Sequence, residues 1–235
     1  MGISPPALPT GEAADSTTQR DETMQEIIPY TGPQEALEAL DNGGCFYNLL
    51  TRAGDDEVEP AELARAAGVG VIGSRQRMFL FLKMALWSCS PEEQSTVWSH
   101  LSDRLRKGAE KHTPQVLDPS EAPGQGIAGR SAIITGYPRF LEDRTTFQGF
   151  LFMPIHTGKV MTMMPIPIHD SFDVYELRDE ESSEVTFLAN LRGQPRLPER
   201  RTRFGGVLKE TREREDADEP GALVLEGSYL TALPG

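Results

Sequence analysis

The chain has 235 residues, a formal net charge of −13 at neutral pH and a sequence pI near 4.8. This length fits one large domain or two small ones and permits a buried core. The acidic balance disfavours a dedicated duplex-DNA binder, which usually carries a basic face, and it disfavours docking on anionic membranes. No stretch approaches the ~20 apolar residues that a membrane-spanning helix needs.

The N-terminal segment and the cysteines favour a cytosolic, cytoplasmic protein. Residues 1–30 lack the basic and apolar regions of a secretory signal, and Pro6 stands where a myristoylation motif requires Ser or Thr. The segment is polar and rich in proline, threonine, serine and acids, so we expect a disordered tail over 1–30 that is partly tied down near residues 27–30. Cys45 and Cys89 lie in apolar helical contexts, and we expect buried thiols and not a disulfide.

Residues 31–112 are predicted to form an N-terminal helical bundle. The run 74–89 is apolar around nearly its whole circumference, which is typical of a helix at the centre of a bundle. Residues 90–93 (SPEE) combine a serine cap, a proline and a closing glutamate, so they predict a helix start. The predicted helices cover 33–40, 45–52, 59–67, 74–89 and one long segment from 91 to about 111.

The second half of the chain is predicted to be β-structure. Residues 113–129 are rich in proline and glycine and read as a linker, followed by a mostly antiparallel β-domain over 130–235. Several short strands with irregular loops favour a small barrel over a sandwich. In strand number and spacing this barrel resembles an OB-fold. The predicted fold class is therefore α+β.

The densest apolar segment is a predicted β-hairpin, made of strands 146–155 and 159–168 around a short turn with a glycine. Apolar residues occupy both sets of alternate positions. A half-exposed strand would carry polar residues on one side, so we expect a second layer to cover this hairpin: the N-terminal helices, a partner or a ligand. The candidate contact residues are Phe150, Phe152 and Met161.

A basic segment between residues 192 and 214 stands out against the acidic chain, with Glu199 as its only acid before Glu210. A basic loop beside an aromatic ring on a small barrel can hold single-stranded nucleic acid through phosphate contacts and base stacking. The alternative is a charged surface segment that pairs with the acidic helical part or with a partner, and the net charge favours it. The candidate contacts are Arg196, Arg200, Arg201, Arg203 and Phe204.

The sequence predicts neither a metal site nor a cofactor. The acidic run 55–62 resembles a calcium loop of the EF-hand type, but Asp56 replaces the glycine that such a loop needs for its turn. The run is better explained as an acidic loop before a helix N-terminus. The glycines of 124–129 precede a predicted strand, whereas a dinucleotide-binding loop follows one.

Three functions follow from these patterns. The leading hypothesis is a non-enzymatic binding or assembly protein that uses the apolar hairpin and its charged rim to hold a protein partner or a second copy. The second is single-stranded nucleic-acid binding through the basic segment. The third is an enzyme whose site forms at the domain junction from dispersed residues, since no nucleophile motif is present. Its candidate residues are His169, Asp170 and Asp173.

Overall fold

The computed structural model describes residues 24–43, 52–69, 75–157, 160–179, 185–191, 194–211 and 222–234. For residues 142–157 and 160–171, and for 185, 191, 211 and 222, the description covers the backbone and not the side chains. The predicted helix 45–52 and most of the predicted tail lie outside the described residues.

The first half of the chain is helical after one short strand. None of the helices in the described ranges is long and apolar enough to cross a membrane. The elements are β1 (Gln25–Glu26), α1 (Pro33–Leu40), α2 (Pro60–Ala66), α3 (Arg75–Ala85), α4 (Pro91–Ser99) and α5 (Asp103–His112).

The start of α4 confirms the predicted capping box. The Ser90 hydroxyl accepts a hydrogen bond from the Glu93 backbone N–H at 3.3 Å, and the Ser90 N–H donates to the Glu93 carboxylate at 2.7 Å. Two of the backbone N–H groups at the start of the helix region are thereby satisfied. This local signal fixed the helix start correctly from the sequence.

The prediction of one helix from 91 to about 111 is wrong, because the chain breaks into α4 and α5 at Leu101. The Val58 N–H donates to the His100 carbonyl at 2.7 Å, and the Ser102 N–H donates to the Val58 carbonyl at 3.0 Å. Leu101 and Val58 are both almost completely buried. A short strand-like pairing with a distant loop therefore replaces the helical hydrogen bonds at this point.

Residues 24–30 are anchored by backbone hydrogen bonds, both in 27–30, where we expected the tail to be tied down, and in 24–26, which we assigned to the tail. Strand β1 pairs in parallel with residues near the C-terminus, and the Ile27 N–H donates to the Leu230 carbonyl at 2.7 Å. The Tyr30 N–H donates to the Ala85 carbonyl at 2.8 Å. Cys89 is a buried free thiol, as predicted, and Cys45 lies outside the described residues.

Five strands of the second half close into a barrel, which confirms an α+β fold with a small barrel. The ring runs β3-β4-β5-β7-β6 and returns to β3, and every pairing in it is antiparallel except the one between β5 and β7. The elements are β2 (Gln115–Leu117), α6 (Ala122–Gln125), β3 (Ser131–Thr157), β4 (Val160–Arg178), β5 (Val185–Leu191), β6 (Thr202–Thr211) and β7 (Ala222–Ala232).

The segment 113–129, which we predicted as a linker, contains regular structure. Strand β2 pairs in parallel with β3, with Val116 opposite Ile133, and α6 contacts β7. Its prolines and glycines therefore belong to turns between short elements. The barrel gains an additional strand at its edge from this segment.

Two apolar cores meet on the wall of the barrel formed by β3, β6 and β7. The barrel interior is filled by one set of alternate strand residues, and the helices bury the other set. Gly205 lets α3 approach closely, because a Cβ there would meet Met84 and would lie 3.1–3.2 Å from Leu80. Interior residues include Ala132, Ile134, Tyr175, Leu177, Leu188, Phe204, Leu208 and Leu225.

We expect Gly206→Ala to destabilise the barrel by about 1–3 kcal/mol, because the added Cβ would overlap the backbone carbonyl of Glu226 across the β6–β7 register shift. Gly124→Ala is the control, since a Cβ there meets nothing within 4 Å. Urea unfolding of both variants measures the effect. Equal stabilities would contradict the close approach of β6 and β7.

Candidate interaction surfaces: the β-arm and the basic loop

Strands β3 and β4 extend beyond the barrel as a two-stranded arm. Strand β5 pairs with β4 only from Phe172 to Arg178, and β6 pairs with β3 only from Ser131 to Gly136. Residues 145–157 and 160–171 continue to pair with each other as far as Thr157 and Val160. We call these two segments the β-arm. At about 3.3 Å per residue it is about 40 Å long.

The β-arm confirms the predicted hairpin and aligns its candidate residues. Phe150 lies opposite Pro167, Phe152 opposite Pro165 and Met161 opposite His156. Because directly opposed residues share a face of the sheet, these three candidates occupy one face by register. Their side chains lie outside the described part of the chain, so their membership of a contact surface remains a proposal.

The composition of the β-arm is unusual for this protein. Residues 145–171 contain one lysine and one aspartate, whereas the whole chain carries a net charge of −13. Apolar residues occupy most register positions on both faces. A two-stranded hairpin is marginally stable alone in water, so a surface of this kind favours contact with another molecule.

Strand β3 contains two irregularities near the base of the β-arm. The register shifts between Phe140 and Glu142 and again between Phe147 and Gly149. Such bulges bend a strand and increase its twist. The first bulge lies between the barrel pairing of β3 and the arm, and the second lies within the arm.

The basic loop, residues 194–201, closes one end of the barrel. The Leu197 N–H donates to the Tyr175 hydroxyl at 3.3 Å, and Leu197 belongs to the barrel core. The Arg196 guanidinium lies 4.3 Å from the centre of the Phe140 ring, which meets Tyr175 edge to face at 5.6 Å. Burial raises the pKa of Tyr175, against the effect of the Leu197 hydrogen bond.

The structure divides the five candidates of the basic segment. Arg196, Arg200 and Arg201 are exposed. Phe204 is fully buried inside the barrel, and Arg203 is only 7% exposed, with its guanidinium 3.7 Å from the centre of the Trp87 ring. Neither residue is accessible to a base or a phosphate. This corrects our expectation of stacking on Phe204, and the accessible candidates are the three exposed arginines.

Arg203 instead belongs to the contact between helices and barrel, which the sequence analysis missed. Burial lowers its pKa to about 10, with a smaller contribution from Arg201, so it stays protonated at neutral pH. Arg77 lies 5.6 Å from the Tyr229 ring centre in the same layer, and the Tyr229 hydroxyl donates to the Ala67 carbonyl at 2.5 Å. The cation–π contacts with the aromatic rings offset part of the cost of removing these guanidinium groups from water. The available sequence signal was that Arg203 is the only charged residue of β6 before Lys209.

Carboxylates in and next to the acidic run 55–62 accept hydrogen bonds from backbone N–H groups. The Asp41 carboxylate accepts hydrogen bonds from the Gly54 and Asp56 N–H groups, both at 2.8 Å. Buried Glu62 accepts from the Gly43 N–H at 2.7 Å and the Glu59 N–H at 2.8 Å. Within the described ranges no three His, Cys, Asp or Glu residues are arranged to hold a metal ion.

Glu62 makes stability depend on pH. Burial raises its pKa above the ordinary 4.5, although its two backbone hydrogen bonds oppose the shift. The protonated form is thus favoured in the folded state. Its stabilising contribution is complete below pH 4.5 and is lost as pH rises through the folded-state pKa.

We therefore expect the stability difference between wild type and Glu62→Gln to shift in favour of the variant as pH rises from 4 to 7. Urea unfolding at several pH values measures this difference. Glu57→Gln, at an exposed neighbouring position, serves as the control. A difference that is independent of pH would contradict the raised pKa of Glu62.

The three residues of the enzyme hypothesis do not form a common cluster by register. Neighbouring residues of a strand lie on opposite faces, so His169 and Asp170 are separated by the sheet. Asp170 pairs with Thr146 in the arm, and Asp173 pairs with Asn190 in the barrel. The side chains of His169 and Asp170 lie outside the described part. This placement adds no support for a site built from the three.

Comparisons with known proteins give little information. No protein-family model matches the chain, and no curated protein matches it. Among solved structures, the N-terminal domain of an archaeal MCM is similar at 10% identity and a TM-score of 0.38, over 76% of this chain and 86% of that chain. A likeness at this score carries no argument about fold or function.

Proposed function

We propose that the protein is a non-enzymatic binding or assembly protein of the cytoplasm that uses the β-arm to hold a second copy or a protein partner. The observation that carries the proposal is the arm itself. Two strands continue about 40 Å past the barrel with few charges and with apolar residues at most positions. Phe150, Phe152 and Met161 are the proposed contact residues.

The charged rim of this surface is the basic loop. Arg196 lies over Phe140, and Phe140 precedes the first register shift of β3, a few residues before the arm begins at Thr145. Arg200 and Arg201 are exposed nearby in sequence. A partner with an apolar segment flanked by acidic groups would match this arrangement, because a polar rim around an apolar centre is typical of protein interfaces.

A shortened arm tests the proposal. Replacing residues 147–169 by Asn-Gly joins Thr146 and Asp170, which are already opposite each other, through a two-residue turn. We expect light scattering to show an oligomer for wild type, whose single chain has a mass of 25.9 kDa. The shortened variant should have the mass of one shortened chain. Retained helix and barrel signals in circular dichroism are the folding control. An unchanged oligomer in the shortened protein would contradict assembly through the arm.

Single-stranded nucleic-acid binding is the second candidate, favoured by the strand order. The first barrel strand in chain order, β3, pairs with the second, β4, and with the fourth, β6, as expected for an OB-fold, a frequent binder of oligonucleotides. The exposed Arg196, Arg200 and Arg201 are the proposed phosphate contacts. The net charge of −13 argues against a strong interaction.

For this second candidate, we expect Arg200→Ala combined with Arg201→Ala to weaken binding of a mixed single-stranded oligonucleotide and to reduce its dependence on salt. Fluorescence anisotropy at low and high salt measures both effects. Lys107→Ala with Lys111→Ala, which removes two exposed charges on α5, is the matched control. Absence of binding by wild type at low salt rejects this function.

A further inference from the structure

The outer edges of the β-arm are closed by prolines. Thr157 and Val160 flank a two-residue connection, which in such hairpins makes them a hydrogen-bonded pair. Pro154, Pro165 and Pro167 lie an odd number of residues from this pair, so all three occupy positions without hydrogen bonds inside the arm. At such positions a backbone N–H would point outward to a new strand, and proline has none.

Pro154 removes one outward donor from the β3 edge, and Pro165 and Pro167 remove two from the β4 edge, so edge-to-edge addition of another strand is disfavoured at these positions. The remaining contact surface is a face. The register defines two of them. The face that we call the aromatic face carries Phe150, Phe152, Pro154 and His156 opposite Pro167, Pro165, Met163 and Met161.

The opposite face, which we call the aliphatic face, carries Leu151, Met153 and Ile155 opposite Ile166, Met164 and Thr162. Both bulges insert their extra residue into β3, so the alternation along β4 is uninterrupted. The aliphatic face therefore continues onto the outer side of the barrel, where Glu176 forms an ion pair with Arg178 at 2.7 Å. The aromatic face has the composition of an interface core, which is rich in aromatic residues and methionine.

We propose that the aromatic faces of two copies pack against each other about a two-fold axis, with the arms antiparallel. This inference rests on the proposed function and names its partner and its surface. The same patch on both copies then forms a closed, self-complementary contact. Phe152 lies near the middle of the arm, close to the axis of such a pair.

The charge distribution permits a second copy as the occupant when the arms are antiparallel. The arm is nearly uncharged, while each whole chain carries −13. Antiparallel arms about 40 Å long place the two acidic barrels at opposite ends of the contact, well beyond the Debye length of about 8 Å at physiological salt. A compact contact between the barrels would bring like charges together.

The size of the face sets the expected strength. About 40 Å by about 10 Å gives about 400 Å² of projected area per copy. The accessible area exceeds the projected area because side chains protrude from the sheet. The contact then lies at the lower end of specific interfaces, at about 1,200 Å² in total. The dimer is therefore expected to dissociate measurably on dilution.

The test is light scattering of the full-length protein over a range of concentrations, with three variants. Phe152→Arg and Phe152→Glu should each give monomers, whereas Ile166→Arg, on the aliphatic face, should leave the dimer. Mixing Phe152→Arg with Phe152→Glu should restore a dimer. A residue near a two-fold axis contacts the same residue of the other copy, so the mixture places opposite charges against each other. Unfolding midpoints close to wild type show that the variants fold.

The outcomes separate this inference from the proposed function. A wild type that is monomeric at every concentration overturns the second copy as occupant. Monomers with Ile166→Arg but dimers with Phe152→Arg assign the contact to the aliphatic face and overturn the inference while assembly through the arm stands. Failure of the mixed charge variants to associate overturns the two-fold arrangement. A dimer that survives shortening of the arm removes the proposed function as well.

Discussion

The structure depends on strand β6, whose alternate residues serve two cores at once. Phe204 fills the barrel interior, and its neighbours Arg203 and Gly205 face the helical layer under Trp87 and Met84. The same strand closes the ring by pairing with β3 on one side and β7 on the other. Burial on both faces explains why this stretch tolerates a charged residue only where an aromatic ring covers it.

One pair of strands performs both the structural and the proposed functional task. Near the barrel, β3 and β4 have additional partners in β6 and β5, so their backbone groups and apolar side chains are covered. The pairing with β6 ends at Gly136 and the pairing with β5 ends at Phe172, and beyond these residues the same two strands continue as the β-arm. The barrel therefore supplies a rigid base that a lone hairpin lacks, and the arm can present a long surface without folding independently.

Contacts with aromatic rings engage several arginines of this acidic protein. Arg203, Arg77 and Arg196 each lie over an aromatic ring, at Trp87, Tyr229 and Phe140 respectively. The number of arginines in the basic segment 192–214 therefore exceeds the number that are available on the surface to a ligand. Arg200 and Arg201 remain as the clearly exposed pair of the loop, which is why assembly through the arm is a stronger proposal than recognition of a polyanion.

Signals that act over a few residues determined much of the local structure. The capping box at Ser90 and Glu93 fixed the start of α4, and the apolar alternation around a short turn fixed the hairpin that became the β-arm. The first helix also begins and ends where its pattern predicts. These features depend on hydrogen bonds and side-chain periods between near neighbours, so a single sequence contains the information.

The remaining features were decided only by the tertiary structure. Leu101 breaks a helix because Val58, distant in sequence, pairs with the backbone there. The burial of Phe204 and Arg203 follows from which face of β6 meets the helices, and the alternation of the strand is the same for either choice. The sequence by itself therefore determined the elements and the unusual apolar arm, whereas closure of the barrel and accessibility of the basic loop depended on contacts between distant segments, which no local pattern encodes.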